Sequence, residues 1–272
     1  MPSPDIITVS QLGRLAGTPD APFIIDVRTD EDFSQDPRAL PGAVRRDFRS
    51  VAAWVGEFRD RPVAVVCQRG AKLSQGVAAW LRHAGTRAES LEGGFLAWVA
   101  AGGLLVKPDR VPKRDAQGRT VWVTRARPKI DRIACPWLIR RFVDPGAVFL
   151  FVAPSEVEAV AERFGATPFD IEGVFWSHQD ELCTFDVMIE EFGLRSDALL
   201  RLAAIVRSAD TARLDLAPEA AGLLAVSLGL SRMYRDDLAQ LDAAMPLYDA
   251  LHRWARDATG ETHNWPAPGA KA

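Results

Sequence analysis

The stretch VVCQRGAKLSQG, Val65 to Gly76, sets an apolar run against a short basic loop and places a cysteine at the seam. Upstream, Val63 to Cys67 is short, β-branched and preceded by Pro62, which reads as a buried strand. Downstream, Leu73, Val77, Trp80, Leu81 and Ala84 fall at helical spacing, with Gly85 placed to end that helix. Phe23 to Val27, after Pro22, repeats the strand pattern, and Phe48–Phe58 and Gly94–Ala101 read as two further helices. Strands and helices alternating at this spacing predict a mainly parallel sheet covered on both faces. In such sheets chemistry gathers in the loops that leave the carboxyl ends of the strands, and Cys67 occupies such a place.

The loop composition bears on the thiol. A cysteine becomes a nucleophile once ionised, and its pKa falls when it faces backbone N–H groups, the positive end of a helix or a cation. Gly70 can take positive φ, so successive amides can turn inward as an anion nest, and Arg69 and Lys72 add charge. Such a cup stabilises a thiolate and equally the persulfide formed when that thiolate accepts sulfur. A buried, inert strand-end cysteine fits the same residues, and the loop alone does not separate the two.

Flanking motifs do. FIIDVRTDEDF, LPGAV, VVCQRGAKLS and LEGGFLAW stand in the order found in single-domain rhodaneses, and residues 6 to 102 resemble that family. The resemblance implies that Cys67 is the sulfur-accepting nucleophile. It makes Gln68, Arg69, Gly70, Ala71 and Lys72 the substrate-binding cup, with Asp26 and Arg28 as supports near the site. Leu40 replaces the histidine often found before Pro-Gly-Ala, and Lys72 stands where arginine is common, which keeps the charge but loses two-pronged oxyanion geometry. The related cysteine phosphatases and arsenate reductases need arginine six residues after the nucleophile; Leu73 stands there, which argues against phosphatase chemistry.

The chain has 272 residues, 48% hydrophobic and 25% charged, with a net charge of −3, the profile of an ordinary globular protein of one large or two smaller domains. The start carries no signal-like run and no segment approaches a membrane span, so a cytoplasmic protein without membrane contact is expected. Three widely spaced cysteines, Cys67, Cys135 and Cys183, argue for free thiols. Charge is uneven: residues 107–142 hold 11 Lys and Arg against 3 Asp and Glu, and residues 143–272 hold 10 against 21. Opposite blocks of one chain commonly pack together, which is the default; the basic stretch from Lys107 to Arg141 could otherwise attract a dianion. Nucleic acid is not expected, because the basic residues lack interleaved aromatics.

Pattern and composition divide the chain into residues 1–106, a linker at 107–118 and a second domain at 119–272. The first is expected to be an α/β domain with a parallel sheet, the second an α-rich α+β domain. In the second, Val121–Val123, Val148–Val152 and Val174–Trp176 read as strands, Pro136 and Pro218 suit first turns of helices, and Asp236–Ala258 reads as a long helix containing Pro246. The closing NWPAPGAKA is expected to be frayed.

The most unusual line here is FWSHQDELCTFD, Phe175 to Asp186. His178, Glu181, Cys183 and Asp186 mix nitrogen, oxygen and sulfur donors and could hold a divalent metal, with Cys135 or Asp210 brought in by folding. They match no known ligand spacing, and solvated acidic residues are the plainer reading. Cys135, among Ile133, Trp137 and Leu138, is expected to be core. Three long phrases, VTRARPKIDRIACPWLIRRFVDPGAVFLFV, ATPFDIEGVFWSHQDELCTFDVMI and IVRSADTARLDLAPEAAGLLAVSLGL, resemble the C-terminal domain of ChrB-type chromate-resistance proteins over residues 119 to 257.

Together the two resemblances imply a rhodanese-type sulfurtransferase linked to chromate resistance or chromium–thiol detoxification. Its partners would be a small sulfur donor such as thiosulfate and a thiol or cyanide acceptor, with chromate or chromium–thiol adducts as further ligands. Sulfur transfer requires no cofactor, and a divalent metal in the second domain is the one cofactor expectation. The competing reading is a non-enzymatic chromate or metal sensor with a regulatory rhodanese module.

Overall fold

The computed structural model describes residues 5–58 and 61–261, so the closing NWPAPGAKA lies outside the described residues. The first half is built on β1 (Ile6–Ile7), β2 (Phe23–Asp26), β3 (Val44–Arg45), β4 (Val63–Val66) and β5 (Ala88–Leu91), a sheet in the order β1-β5-β4-β2-β3. Every pairing is parallel, as between Phe23 and Val63 or between Val65 and Ser90. The helices are α1 (Val9–Leu15), α2 (Asp30–Gln35), α3 (Val51–Trp54), α4 (Lys72–His83) and α5 (Gly94–Ala100).

Alternation along the central strands explains the two layers. Val63 and Val65 of β4 pack with Trp54, Phe58, Val77 and Leu81, whereas Ala64 and Val66 pack with Leu12, Phe95 and Trp98. Both faces are buried, which is why the strands read as unbroken apolar runs. Phe48–Phe58, expected as one helix, breaks into 3₁₀ turns at Phe48–Ser50 and Val55–Phe58 around α3. Gly56 and two valines are weak helix formers there, and one tight turn already seats Val51, Trp54 and Phe58 in the core.

The second half carries a three-stranded parallel sheet, β7-β6-β8, from β6 (Val121–Arg125), β7 (Val148–Val152) and β8 (Thr167–Pro168). Around it stand α6 (Asp131–Leu138), α7 (Val157–Phe164), α8 (Thr184–Phe192), α9 (Asp197–Asp210), α10 (Ala220–Met233) and α11 (Asp237–Asp257). Trp122, Trp137, Phe142, Phe169, Phe185, Phe192 and Tyr248 are all buried at its centre. Asp236 caps α11 by accepting from Ala239 N at 2.7 Å, and Pro246 lies within the helix.

Two expectations need correction. Val174–Trp176 forms no strand: Trp176 makes a single bridge to Phe169, and its indole stacks on Phe192 with ring centroids 4.9 Å apart. Aromatic packing, not sheet pairing, explains the apolar run. Pro136 is not in a first turn; α6 already starts at Asp131, and a π-helical turn over Ile139–Val143 follows it.

The halves touch. Gly42 N donates to Phe142 O at 2.6 Å, Arg256 Nη1 donates to Arg14 O at 3.2 Å, and the Phe142 ring lies against Gly17, where any Cβ would collide with it. Ala39 and Val106 exchange backbone hydrogen bonds, and Lys107 N donates to Phe192 O at 3.0 Å, so the junction is packed on both sides. A cleft of about 300 Å³ between the halves is lined by Pro22 and Phe23, Arg61 and Pro62, and Arg140 and Pro145. The contact therefore lies at the amino ends of β2 and β4. The basic stretch is folded onto the acidic half, with Arg114 on Asp144, Arg132 on Asp170, Arg140 on Asp242 and Arg141 on Asp249. Among the described residues no helix is long and apolar enough to cross a membrane.

Candidate functional site

Cys67 is the first residue beyond β4 and is 4% exposed. Its Sγ lies 3.1 Å from Ser74 Oγ, and that hydroxyl is also placed to donate to Ala71 O at 3.2 Å. The hydroxyl has one proton, so ionising the thiol favours its turning from the carbonyl to the sulfur. Burial pushes the Cys67 thiol up, but the Ser74 hydroxyl and the backbone amides of Ser74, Ala71 and Arg69 outweigh it, and the thiol titrates below its ordinary range. Those amides turn inward because Gly70 adopts φ +63°. A Cβ at Gly70 would press on the Leu91 carbonyl and the Gly93 and Gly94 amides, and one at Gly94 on the Cys67 carbonyl. The start of α5 holds the loop from behind: Phe95 N donates to Cys67 O at 2.9 Å and Leu96 N to Gln68 O at 3.1 Å.

Gln68 is half-buried with its amide oxygen unpaired, while Arg69, Ala71 and Lys72 are exposed, Lys72 opening α4. Asp26 and Arg28 form a buried ion pair at 2.7 Å beside this loop. Arg28 also donates to Asp36 O and Arg38 O, and its guanidinium lies 3.7 Å from the centroid of the Phe95 ring, so the pair braces the sheet edge and α5. Leu40 is buried in the core. Ser74 is the site residue that loop reading missed, within the first turn of α4 and facing back at the sulfur.

Among the described residues, the four second-half candidates do not gather at one point. Glu181 is 87% exposed and pairs with Arg213 at 3.3 Å. Cys183 is buried at the N-cap of α8, its thiol pushed up by burial, and its N–H donates to Asp186 Oδ2 at 3.1 Å. Asp186 in turn accepts from Arg207 at 2.7 Å. Cys135 is buried in α6. His178 turns instead toward carboxylates from three other elements. Its Nε2 lies 3.4 Å from Asp131 Oδ2, 3.5 Å from Asp170 Oδ1 and 3.2 Å from Asp210 Oδ2. Hydrogen bonds to these three push the His178 pKa up to about 12 against partial burial, and burial raises that of Asp131. Of the residues named from the sequence, His178 and Asp210 meet here.

Comparison with known proteins agrees with both halves. The family described as a rhodanese-like domain matches residues 8–101, and the one described as the ChrB C-terminal domain matches residues 122–255. A sulfurtransferase of Allochromatium vinosum is 30% identical over 97 residues, which cover 35% of this chain and 88% of that protein. The chain belongs to the rhodanese-like proteins, with a ChrB C-terminal domain fused behind. The protein ChrB of Cupriavidus metallidurans is 36% identical over 146 residues, 52% of this chain, and the matched part spans 43% of that relative's length. A rhodanese-like domain protein of Staphylococcus aureus of known structure is 27% identical, covering 35% of this chain and 90% of its own, with a TM-score of 0.32.

In the rhodanese-like half, Cys67, its loop and Ser74 all come from one contiguous stretch, backed by the start of α5. The ChrB C-terminal domain gathers its polar centre differently. Asp131 opens α6, Asp170 follows β8, His178 lies in a loop and Asp210 ends α9. Asp131 and Asp170 escaped sequence reading, because Asp131 follows a basic stretch, Asp170 follows Pro168 and Phe169 past β8, and neither lies in a recognisable ligand spacing.

Proposed function

We propose that the chain is a sulfurtransferase in which Cys67 carries sulfur as a persulfide. The observation that carries this reading is the Cys67 sulfur set 3.1 Å from Ser74 Oγ within a ring of inward amides. The thiolate attacks the outer sulfur of a sulfane donor such as thiosulfate; the donor S–S bond breaks and sulfite leaves with its electron pair. The terminal persulfide sulfur inherits the negative charge, and the amides that favoured the thiolate are placed to stabilise it. A thiolate or cyanide acceptor then attacks that sulfur, and Cys67 departs as thiolate, closing the cycle with no net redox change in the protein. A buried nucleophile and a short loop favour a small donor. The ChrB C-terminal domain supports assigning the activity to chromate tolerance or chromium–thiol detoxification in the cytoplasm. Incubation with thiosulfate should add one sulfur atom to the intact mass, reversed by cyanide and absent in Cys67→Ala. No gain with thiosulfate, cysteine persulfide or glutathione persulfide would overturn the assignment.

A further inference from the structure

The carboxyl edge of the β6–β8 sheet holds a second polar centre that sulfur transfer does not use. Asp131 is fully buried, and both its oxygens are oriented from outside: Oδ2 accepts from Thr184 N at 2.6 Å and Oδ1 from Phe185 N at 3.1 Å, at the start of α8. Thr184 Oγ1 donates to Asp170 Oδ1 at 2.9 Å, and Arg132 lies 3.1 Å from Asp170 Oδ2. Each carboxylate retains a free lone-pair direction, since a carboxylate offers about four. Among the described residues, one oxygen each of Asp131, Asp170 and Asp210 comes within 3.5 Å of a single imidazole nitrogen, His178 Nε2. One N–H cannot serve three acceptors well.

The spacing has a chemical meaning. Ligand atoms about 2.1 Å from a tetrahedral cation stand about 3.4 Å from one another. The contacts of His178 Nε2 with Asp131, Asp170 and Asp210 are 3.4, 3.5 and 3.2 Å. One ligand atom each from Asp131, Asp170 and His178 falls within 4.8 Å of the others.

A second observation is independent of the carboxylates. Thr124 is fully buried near the carboxyl end of β6, and its hydroxyl has no hydrogen-bond partner. It stands two residues beyond Trp122, hence on the same face of the strand, the one covered by α6 and α8 whose first residues frame the cluster. A buried hydroxyl left without a partner at such a place calls for a water or an ion-bound ligand to satisfy it. His178 is 41% exposed and borders a cleft of about 380 Å³, so the centre has one side open to solvent.

We propose that the ChrB C-terminal domain binds a divalent transition-metal ion through Asp131, Asp170 and His178, with Asp210 beside it and the cleft side open for a water or small ligand. Nitrogen and oxygen donors with no thiolate suit zinc, manganese, iron or cobalt(II) over copper(I). Asp131 oriented by two amides and Asp170 by Thr184 match the outer hydrogen bonding that positions metal ligands. The thiols of Cys135 and Cys183, both buried, are outside the ligand set.

The test uses the full chain stripped with chelator, in a Cys67→Ala background so that its outcome is independent of sulfur transfer. Cobalt(II) should bind one ion per chain with visible d–d absorption and without the intense thiolate-to-cobalt band, and zinc or manganese should compete for it. His178→Ala, at a half-exposed position, and Asp170→Asn should each weaken cobalt binding at least tenfold while keeping the native far-ultraviolet circular dichroism spectrum in chelator. Absence of binding up to millimolar cobalt and zinc would overturn the proposal, as would binding that His178→Ala and Asp170→Asn leave unchanged or that Cys183→Ser abolishes.

Discussion

Ser74 and His252 show how one side chain sets a measurable pH behaviour. Without the Ser74 hydroxyl, burial of Cys67 has less to oppose it, so Ser74→Ala should move the thiol titration to higher pH. Iodoacetamide alkylation at neutral pH should slow several-fold in this variant, and the rates should converge with the native protein at alkaline pH. His252 is 4% exposed among the Trp137 and Phe142 rings, and burial, helped by Arg256 and Arg253 and opposed by Asp249 and Asp257, drops its pKa from 6.5 to about 4. A basic group depressed in the folded state stabilises above its unfolded pKa and loses that contribution as pH falls. Between pH 6.5 and 4 the unfolded chain takes up a proton that the folded one refuses, at a cost of about 3 kcal/mol across the window. Urea unfolding of the native protein and of His252→Gln at pH 7 and 4.5 should show the variant losing less.

At the scale of the element, two glycines fix the Cys67 loop. Gly70 and Gly94 both have positive φ, and each would push a Cβ into backbone of the other's turn. Backbone cannot swing aside as a side chain can, so Gly94→Ala should cost about 2 kcal/mol or more, measurable in urea, and abolish sulfur loading. This element was legible in the sequence because strand, loop and helix are contiguous and their signals, the apolar run, Gly70 and the helical spacing after Leu73, all lie within 25 residues. The Asp131–Asp170–His178 centre was not, because Asp131 lies far along the chain from Asp170 and His178 and the three are joined only when α6 and α8 pack on β6. Its residues look like any N-terminal helical Asp or loop His until that packing is known. Val174–Trp176 misled for the same reason: an apolar run signals burial, and only the partner, here Phe192, decides what form burial takes.

Across the whole molecule, Phe142 is the residue both halves share. It is 1% exposed, packs on Trp137 and His252, lies against Gly17 and accepts from Gly42 N. Phe142→Ala should remove about 3 to 5 kcal/mol of packing and resolve calorimetric unfolding into two transitions where the native chain shows one. That the halves would meet was not readable from the linker composition; the charge blocks gave only the attraction of the basic stretch to the acidic half, which Arg140 and Arg141 satisfy.

The site of that meeting has a chemical consequence. Phe142, Gly42 and Pro62 are at the amino ends of the first sheet, while Cys67 leaves its carboxyl end. In the second sheet Asp144, two residues past Phe142, holds Thr120 N at the start of β6, and His178 and its carboxylates stand beyond the other end. The Cys67 rim and the His178 rim thus both lie on the side of their sheets away from the junction, so a molecule seated at one leaves the other uncovered.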